Sequence, residues 1–212
     1  ERLPMIAGAK VNEPTAIGCG YNDLGRSDWM IFLEKNIANS IALNFELHSN
    51  QLMQLSSLAS PTYAKACTNL ISLMNEHAKK QIPIFTAQLT TKQPKQLRIG
   101  WICGDINHHP VARFLYSWLS GAAKSLTNQH IVVATISAEP EYINLFNNLK
   151  EIQFIDQSQT KLSPIDRINE LRGLKLDIAI DLNGWTGNNI SHAFICRIAT
   201  LQVNYLAYHA SS

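Results

Sequence analysis

A chain of 212 residues has room for one large or two small domains with a real core. With 46% apolar and 16% charged residues it has an ordinary globular balance, slightly on the apolar side. Its net charge of +2, with no run of Lys or Arg to track a phosphate backbone, argues against a nucleic-acid partner. The four cysteines (Cys19, Cys67, Cys103 and Cys196) are scattered and form no C-x-x-C pair. That spacing argues against a zinc ribbon or a secreted disulfide scaffold and suits a reducing compartment. No apolar stretch approaches the roughly 20 residues of a membrane span, and no signal-peptide core opens the chain. A cytoplasmic location without a membrane partner is the expectation. The chain opens at Glu1 without a methionine and reads as a piece of something longer.

Residues 27–80 carry helical periodicity. Met30, Leu33, Ile37, Ile41 and Phe45 recur at steps of three and four, which aligns them on one helix face. A second helix is predicted from "SPTYAKA", with Ser60 as cap and Pro61 in the first turn, where no backbone N–H is needed. Tyr63, Cys67, Leu70 and Met74 form its stripe, and Pro83 ends the pattern. The polar, proline-containing "TTKQPKQ" at 90–96 is the expected linker. No repeat of about 34 residues is visible, so a helical-repeat array is not predicted. The expected division is a helical lead-in over 1–96 and a second unit over 97–212.

From Leu97 the pattern changes. "LRIGWIC" (97–103), "HIVVATIS" (130–137), "IQFID" (152–156), "LDIAIDL" (176–182) and "LQVNYLAY" (201–208) are short apolar runs. Stretches of helical length separate them: 110–124, 139–149, 163–173 and 190–198. In "SPIDRINELRG", Ser163 is the cap and Pro164 lies in the first turn. Ile165, Ile168 and Leu171 make the stripe, and Gly173 is the exit. Alternation of this kind predicts an α/β fold: a Rossmann-like, mainly parallel sheet with helices on both faces. Ligands bind such sheets beyond the carboxyl ends of the strands. Three polar loops are expected on that rim: "GDINHHPVARF" after the first strand, "DLNGWTGNN" after the fourth and "YHASS" after the fifth.

Each loop also has a plain structural reading. His109-Pro110 reads equally well as a helix start, with Asn107 or His108 as the cap. A metal held by Asp105, His108 and His109 is disfavoured, because two adjacent residues seldom turn toward one ion. Asn183-Gly184 favours a turn, and the segment lacks the further oxygen ligands of an EF-hand. "GWICG" lacks the G-x-G-x-x-G spacing, so NAD is not expected.

The loops nevertheless resemble a known family. "LRIGWICGDINHHPV" is similar to the L-R-I-G-Y-x-S-x-D-F-x-x-H-P-V pattern that opens the catalytic region of the O-GlcNAc transferase-like, SPINDLY-type glycosyltransferases. "DIAIDLNGWTGNN" resembles that family's D-I-x-x-D-L-x-G-x-T-x-x-N segment. "RIATLQVNYLAYHASS" resembles its R-x-A-P-x-Q-V-x-W-L-G-Y-P-G-T segment. The three motifs are ordered over residues 97–212. Departures occur at Ile106, where an aromatic is usual, at Ala199-Thr200 for Ala-Pro, and at Ala207 and Ala210 for glycines.

The resemblance implies a GT-B architecture, with this chain supplying the first of two Rossmann-like halves and the C-terminal catalytic half lying elsewhere. It implies inverting transfer of a sugar, N-acetylglucosamine or glucose, from a UDP donor to protein or peptide side chains. The UDP-sugar is then a substrate, and neither a cofactor nor a metal is expected. His109 matches the histidine of H-P-V, for which both a base role and electrostatic positioning are open. His108 has no matching role, so surface or capping is its reading. Asp105 matches the acidic position and would orient the loop by accepting backbone N–H bonds. Asn183, Gly184 and Thr186 would form the neighbouring rim of the donor cleft, Gly184 for backbone geometry and Thr186 for a hydrogen bond. Tyr208 matches the tyrosine of the last segment and would complete the cleft. The alternatives are a non-catalytic protein-binding module that keeps the fold, or an unrelated nucleotide-binding enzyme, which would need a phosphate-cradling glycine loop.

Overall fold

The computed structural model describes residues 96–206, apart from 123, 124, 126 and 185, together with the helical Thr68, Ser72, Glu76 and Lys80. The helices expected over 27–80, and Tyr208, Ala207 and Ala210, lie outside the described residues, those four helical positions aside. From Arg98 onward the elements alternate strictly. They are β1 (Arg98–Ile106), α1 (Pro110–Ala122), β2 (Gln129–Ala138), α2 (Pro140–Asn147), β3 (Ile152–Asp156), α3 (Pro164–Gly173), β4 (Leu176–Asp181), α4 (Ser191–Ile195) and β5 (Ala199–Asn204). The five strands form one sheet in the order β3-β2-β1-β4-β5, and every neighbouring pair is parallel. The Rossmann-like sheet expected from strand–helix alternation is the sheet observed.

Side-chain alternation along β1 and β2 divides the core in two. Ile99, Trp101 and Cys103 of β1, with Val132 and Ala134 of β2, face Val111, Leu115 and Leu119 of α1 and Tyr142 and Phe146 of α2. Ile102, Ile131 and Val133 face the other way, onto Ile168 and Leu171 of α3 and Ala193 and Phe194 of α4. A strand buried on both faces must be apolar at nearly every position, as "IGWIC" is. On the α1 side the cover thins toward the edge. Ile99 pairs with Ile178 and Ile178 with Leu201, yet Leu201 is 52% exposed.

The boundaries shift where tertiary contacts intervene. β1 runs three residues beyond the predicted Cys103 because a register break between Cys103 and Asp105 lets the strand continue to Ile106. β5 ends at Asn204, short of the predicted 208. At α3 the local signals hold. The Ser163 hydroxyl accepts from the Asp166 N–H at 3.2 Å and donates to the Asp166 carboxylate at 2.6 Å, with Pro164 in the first turn.

Candidate functional site

β1 is the central strand and β4 its neighbour, so the segments that follow them emerge side by side on the carboxyl rim. His109 stands three residues past the end of β1 and Asn183 two past the end of β4, at the same end of the sheet. Here sequence distant in the chain becomes one junction.

Its centre is Asp105. The carboxylate accepts from Asn183 Nδ2 at 3.0 Å and from Asn188 Nδ2 at 2.6 Å. This corrects the expectation of backbone N–H donors: both partners are side-chain amides from the loop after β4. Asp105 still belongs to β1, and the neighbouring β4 loop brings the two amides against its carboxylate. Asn183 in turn accepts from the Gly104 N–H at 2.6 Å and gives its remaining amide proton to the Gly187 carbonyl at 3.3 Å. At 3% exposure, with oxygen and both protons engaged, Asn183 is an internal clasp between β1 and the loop. Gly104 is required by this closeness, because an ideal Cβ there would stand 1.9 Å from the Asn188 carbonyl oxygen.

The loop after β4 is built on Asp181. Its carboxylate accepts from the backbone N–H groups of Asn183 at 2.9 Å and Gly184 at 3.2 Å, an aspartate turn. Burial pushes the Asp181 carboxyl up to about 6, against the lowering effect of those two N–H bonds. Gly184 takes φ 52° and Asn188 φ 57°, left-handed conformations that glycine and asparagine tolerate best. The Thr186 hydroxyl donates to the Asn183 carbonyl at 2.7 Å, which closes the turn. Asp181, Asn188 and Gly104 were not singled out from sequence. The D-x-N spacing of Asp181 and Asn183 was the signal available for the first.

His109 occupies the N-terminus of α1. Its carbonyl accepts from the Ala112 N–H at 3.2 Å, and its ring Nδ1 accepts from the Val111 N–H at 3.3 Å. The cap therefore belongs to His109, not to Asn107 or His108 as expected, and Pro110 occupies the first helical position. Asn107 instead braces the turn. Its carbonyl oxygen accepts from the His109 N–H at 2.9 Å, and its amide donates to the Ser137 hydroxyl beside the end of β2 at 3.0 Å. His108 points away, exposed, with Nε2 3.3 Å from the Glu139 carboxylate and its ring edge-on to Tyr142. Asp105, Asn183, Gly184, Thr186 and His109 are thus brought to one rim. Tyr208 lies outside the described residues.

Among the described residues no three His, Cys, Asp or Glu side chains converge as metal ligands, and no helix is long and apolar enough to cross a membrane. Cys103, two residues from Asp105 but fully buried, has its thiol pushed up to about 12 by burial and is inert as a nucleophile.

No protein-family model matches the chain, and no curated protein does. Solved structures do. The chain is similar in fold to an O-GlcNAc transferase. That neighbour, a point mutant of the Thermobaculum terrenum enzyme, superposes with a TM-score of 0.60 at 21% identity over 84% of this chain. The chain spans 34% of the O-GlcNAc transferase's own length. The likeness shows a glycosyltransferase-like α/β fold, in agreement with the parallel sheet described above.

Proposed function

We propose that this chain carries the first Rossmann-like half of a GT-B catalytic region related to the SPINDLY-type glycosyltransferases. It would act in inverting transfer of N-acetylglucosamine or glucose from a UDP-sugar to a protein side chain. The observation that carries the reading is that "GDINHHPV" and "DLNGWTGNN" meet on adjacent strand ends, in a fold shared with an O-GlcNAc transferase. In such a transfer the acceptor oxygen bonds to the anomeric carbon from the face opposite the diphosphate. The bond from that carbon to the phosphate oxygen breaks, UDP leaves with the electron pair, and the hydroxyl proton is released.

The chain's own contribution is positional. The Asp105–Asn183–Asn188 clasp holds the end of β1 against the β4 loop, and the capped α1 holds His109 on the rim. A rim held by buried hydrogen bonds keeps its geometry when a ligand arrives, the condition for effective positioning. The diphosphate would rest on N–H groups and cations of the second half.

The test has two arms. Labelled UDP-N-acetylglucosamine and UDP-glucose are offered, with a peptide mixture, to the polypeptide encoded by the reading frame that contains these residues. Transfer of either sugar is expected, and no transfer together with no UDP binding would sink the proposal. Residues 1–212 alone should bind UDP more weakly than about 1 mM and transfer nothing, because half a cleft keeps most of the entropic cost of binding and few of the contacts. Micromolar binding by these residues would show that the cleft is complete without a second half.

A further inference from the structure

We propose that His109 presents Nε2–H as an oriented hydrogen-bond donor to an oxygen of the bound UDP-sugar, and does not act as a proton acceptor through that nitrogen. The identity of the ligand rests on the function proposed above. The assignment of the ring does not.

The argument begins with the ring's two nitrogens. A backbone N–H can only donate, so the Val111 N–H at 3.3 Å commits the Nδ1 lone pair. A neutral imidazole with Nδ1 as acceptor carries its proton on Nε2. Three atoms of the residue are tied down together: the N–H to Asn107 at 2.9 Å, the carbonyl to Ala112 at 3.2 Å, and Nδ1 to Val111. Asn107 is itself anchored to Ser137 at 3.0 Å, so the brace reaches the end of the neighbouring strand β2. His109 as a whole is exposed on the rim. To serve as a base through Nε2, the ring would have to move its proton to Nδ1 and give up the Val111 bond that orients it. As a donor it needs no rearrangement. An N–H aimed in advance at an oxygen that gains negative charge is most effective when it is already in place. His109 thus touches the ligand, and Asn107 is the positioning residue behind it.

The ring nitrogens of the full 212-residue chain are read by long-range proton–nitrogen correlation, with the neutral imidazole of a short histidine peptide as reference. His109 should show Nε2 protonated and Nδ1 bare. Val111→Pro removes the donor while keeping a residue suited to the first turn of a helix. Its Nδ1 resonance should then move toward that of the unbonded Nδ1 in the reference peptide, with the remaining amide spectrum preserved. Nδ1 protonated in the wild type, or an Nδ1 resonance indifferent to Val111→Pro, would overturn the assignment.

A second arm uses the transferring polypeptide. Gln places an amide N–H near the position of Nε2, whereas Asn reaches only as far as Nδ1. His109→Gln should keep kcat about tenfold or more above His109→Asn. A Gln variant as slow as Asn would remove the donor role. Failure of wild-type transfer would refute the proposed function and leave the ring assignment to the nitrogen spectra.

Discussion

Replacing Asn183 by aspartate changes almost no volume and reverses the electrostatics of the clasp. Asn183 Nδ2 now donates to the Asp105 carboxylate across 3.0 Å, inside a junction where Asn183 is 3% exposed. In Asn183→Asp two carboxylates would face each other there. With each charge spread over two oxygens, an effective separation of about 4 Å and a dielectric of about 20 give a repulsion of roughly 4 kcal/mol. The pair can escape by taking up a proton, which also restores a donor between the two groups. Measured from the value of aspartate in solution, holding a carboxyl protonated costs about 4 kcal/mol at pH 7 and about 1.5 kcal/mol at pH 5. The penalty therefore saturates near those values, and the variant's carboxyl pair titrates at raised pH. Stability relative to wild type should be lowest at neutral pH and recover as the pH falls. For a chain of this size the loss corresponds to a drop in Tm of about 8–16 °C at pH 7 and about 3–6 °C at pH 5. Thermal melts of both proteins at the two pH values measure it. A variant as stable as wild type at pH 7, or a loss that is the same at both, would refute the clasp as a carboxylate held by buried amides.

Gly104→Ala should destabilise by about 1–3 kcal/mol or more, since the clash at 1.9 Å is with a backbone carbonyl and no side chain can swing away; an unchanged urea midpoint would show that the rim yields freely. Burial raises the Asp181 carboxyl to about 6, so the native state binds that proton more tightly and Asp181's contribution falls as pH rises from about 4 to 6. Burial and the nearby Arg167 lower His192 to about 4, so its contribution runs the other way, rising with pH through the same window. The two slopes offset each other in the wild type. Asp181→Asn should expose the histidine slope, with the difference between variant and wild-type stability changing by about 1.4 kcal/mol per pH unit between pH 4 and 6; parallel urea-midpoint profiles would contradict it. In the transferring polypeptide, His109→Ala, which removes the Nε2–H donor, should lower the rate by about 10²-fold, and His108→Ala far less; equal effects in a single-turnover assay would remove the distinction between the two histidines.

Local chemistry made most of the scaffold legible. Alternating apolar runs and helical stretches set out the five strands and four helices from 97 onward. The Ser163-Pro164 start bounded α3, because capping depends on residues a few positions apart, whereas the exit fell beyond Gly173, with Leu174 as the cap and Lys175 in the left-handed conformation. The same logic placed "GDINHHPV" and "DLNGWTGNN" beyond strand ends. Periodicity says nothing about which strand pairs with which, or about contacts across 78 or 83 residues, the separations of Asp105 from Asn183 and Asn188. Only the tertiary structure therefore decided that Asp105 holds side-chain amides rather than backbone. The helix start at Pro110 was readable, but its owner was not. Asn107, His108 and His109 are all able to cap, and the choice fell to His109 because Asn107 is drawn toward Ser137 on the adjacent strand. The raised Asp181 and the lowered His192 are likewise invisible in a linear string, since desolvation depends on what the rest of the chain packs around a charge. The sequence by itself determined which residues reach the rim. Packing determined which of them are left facing the solvent, because each buried polar group must find a partner and only the remainder is available to a ligand.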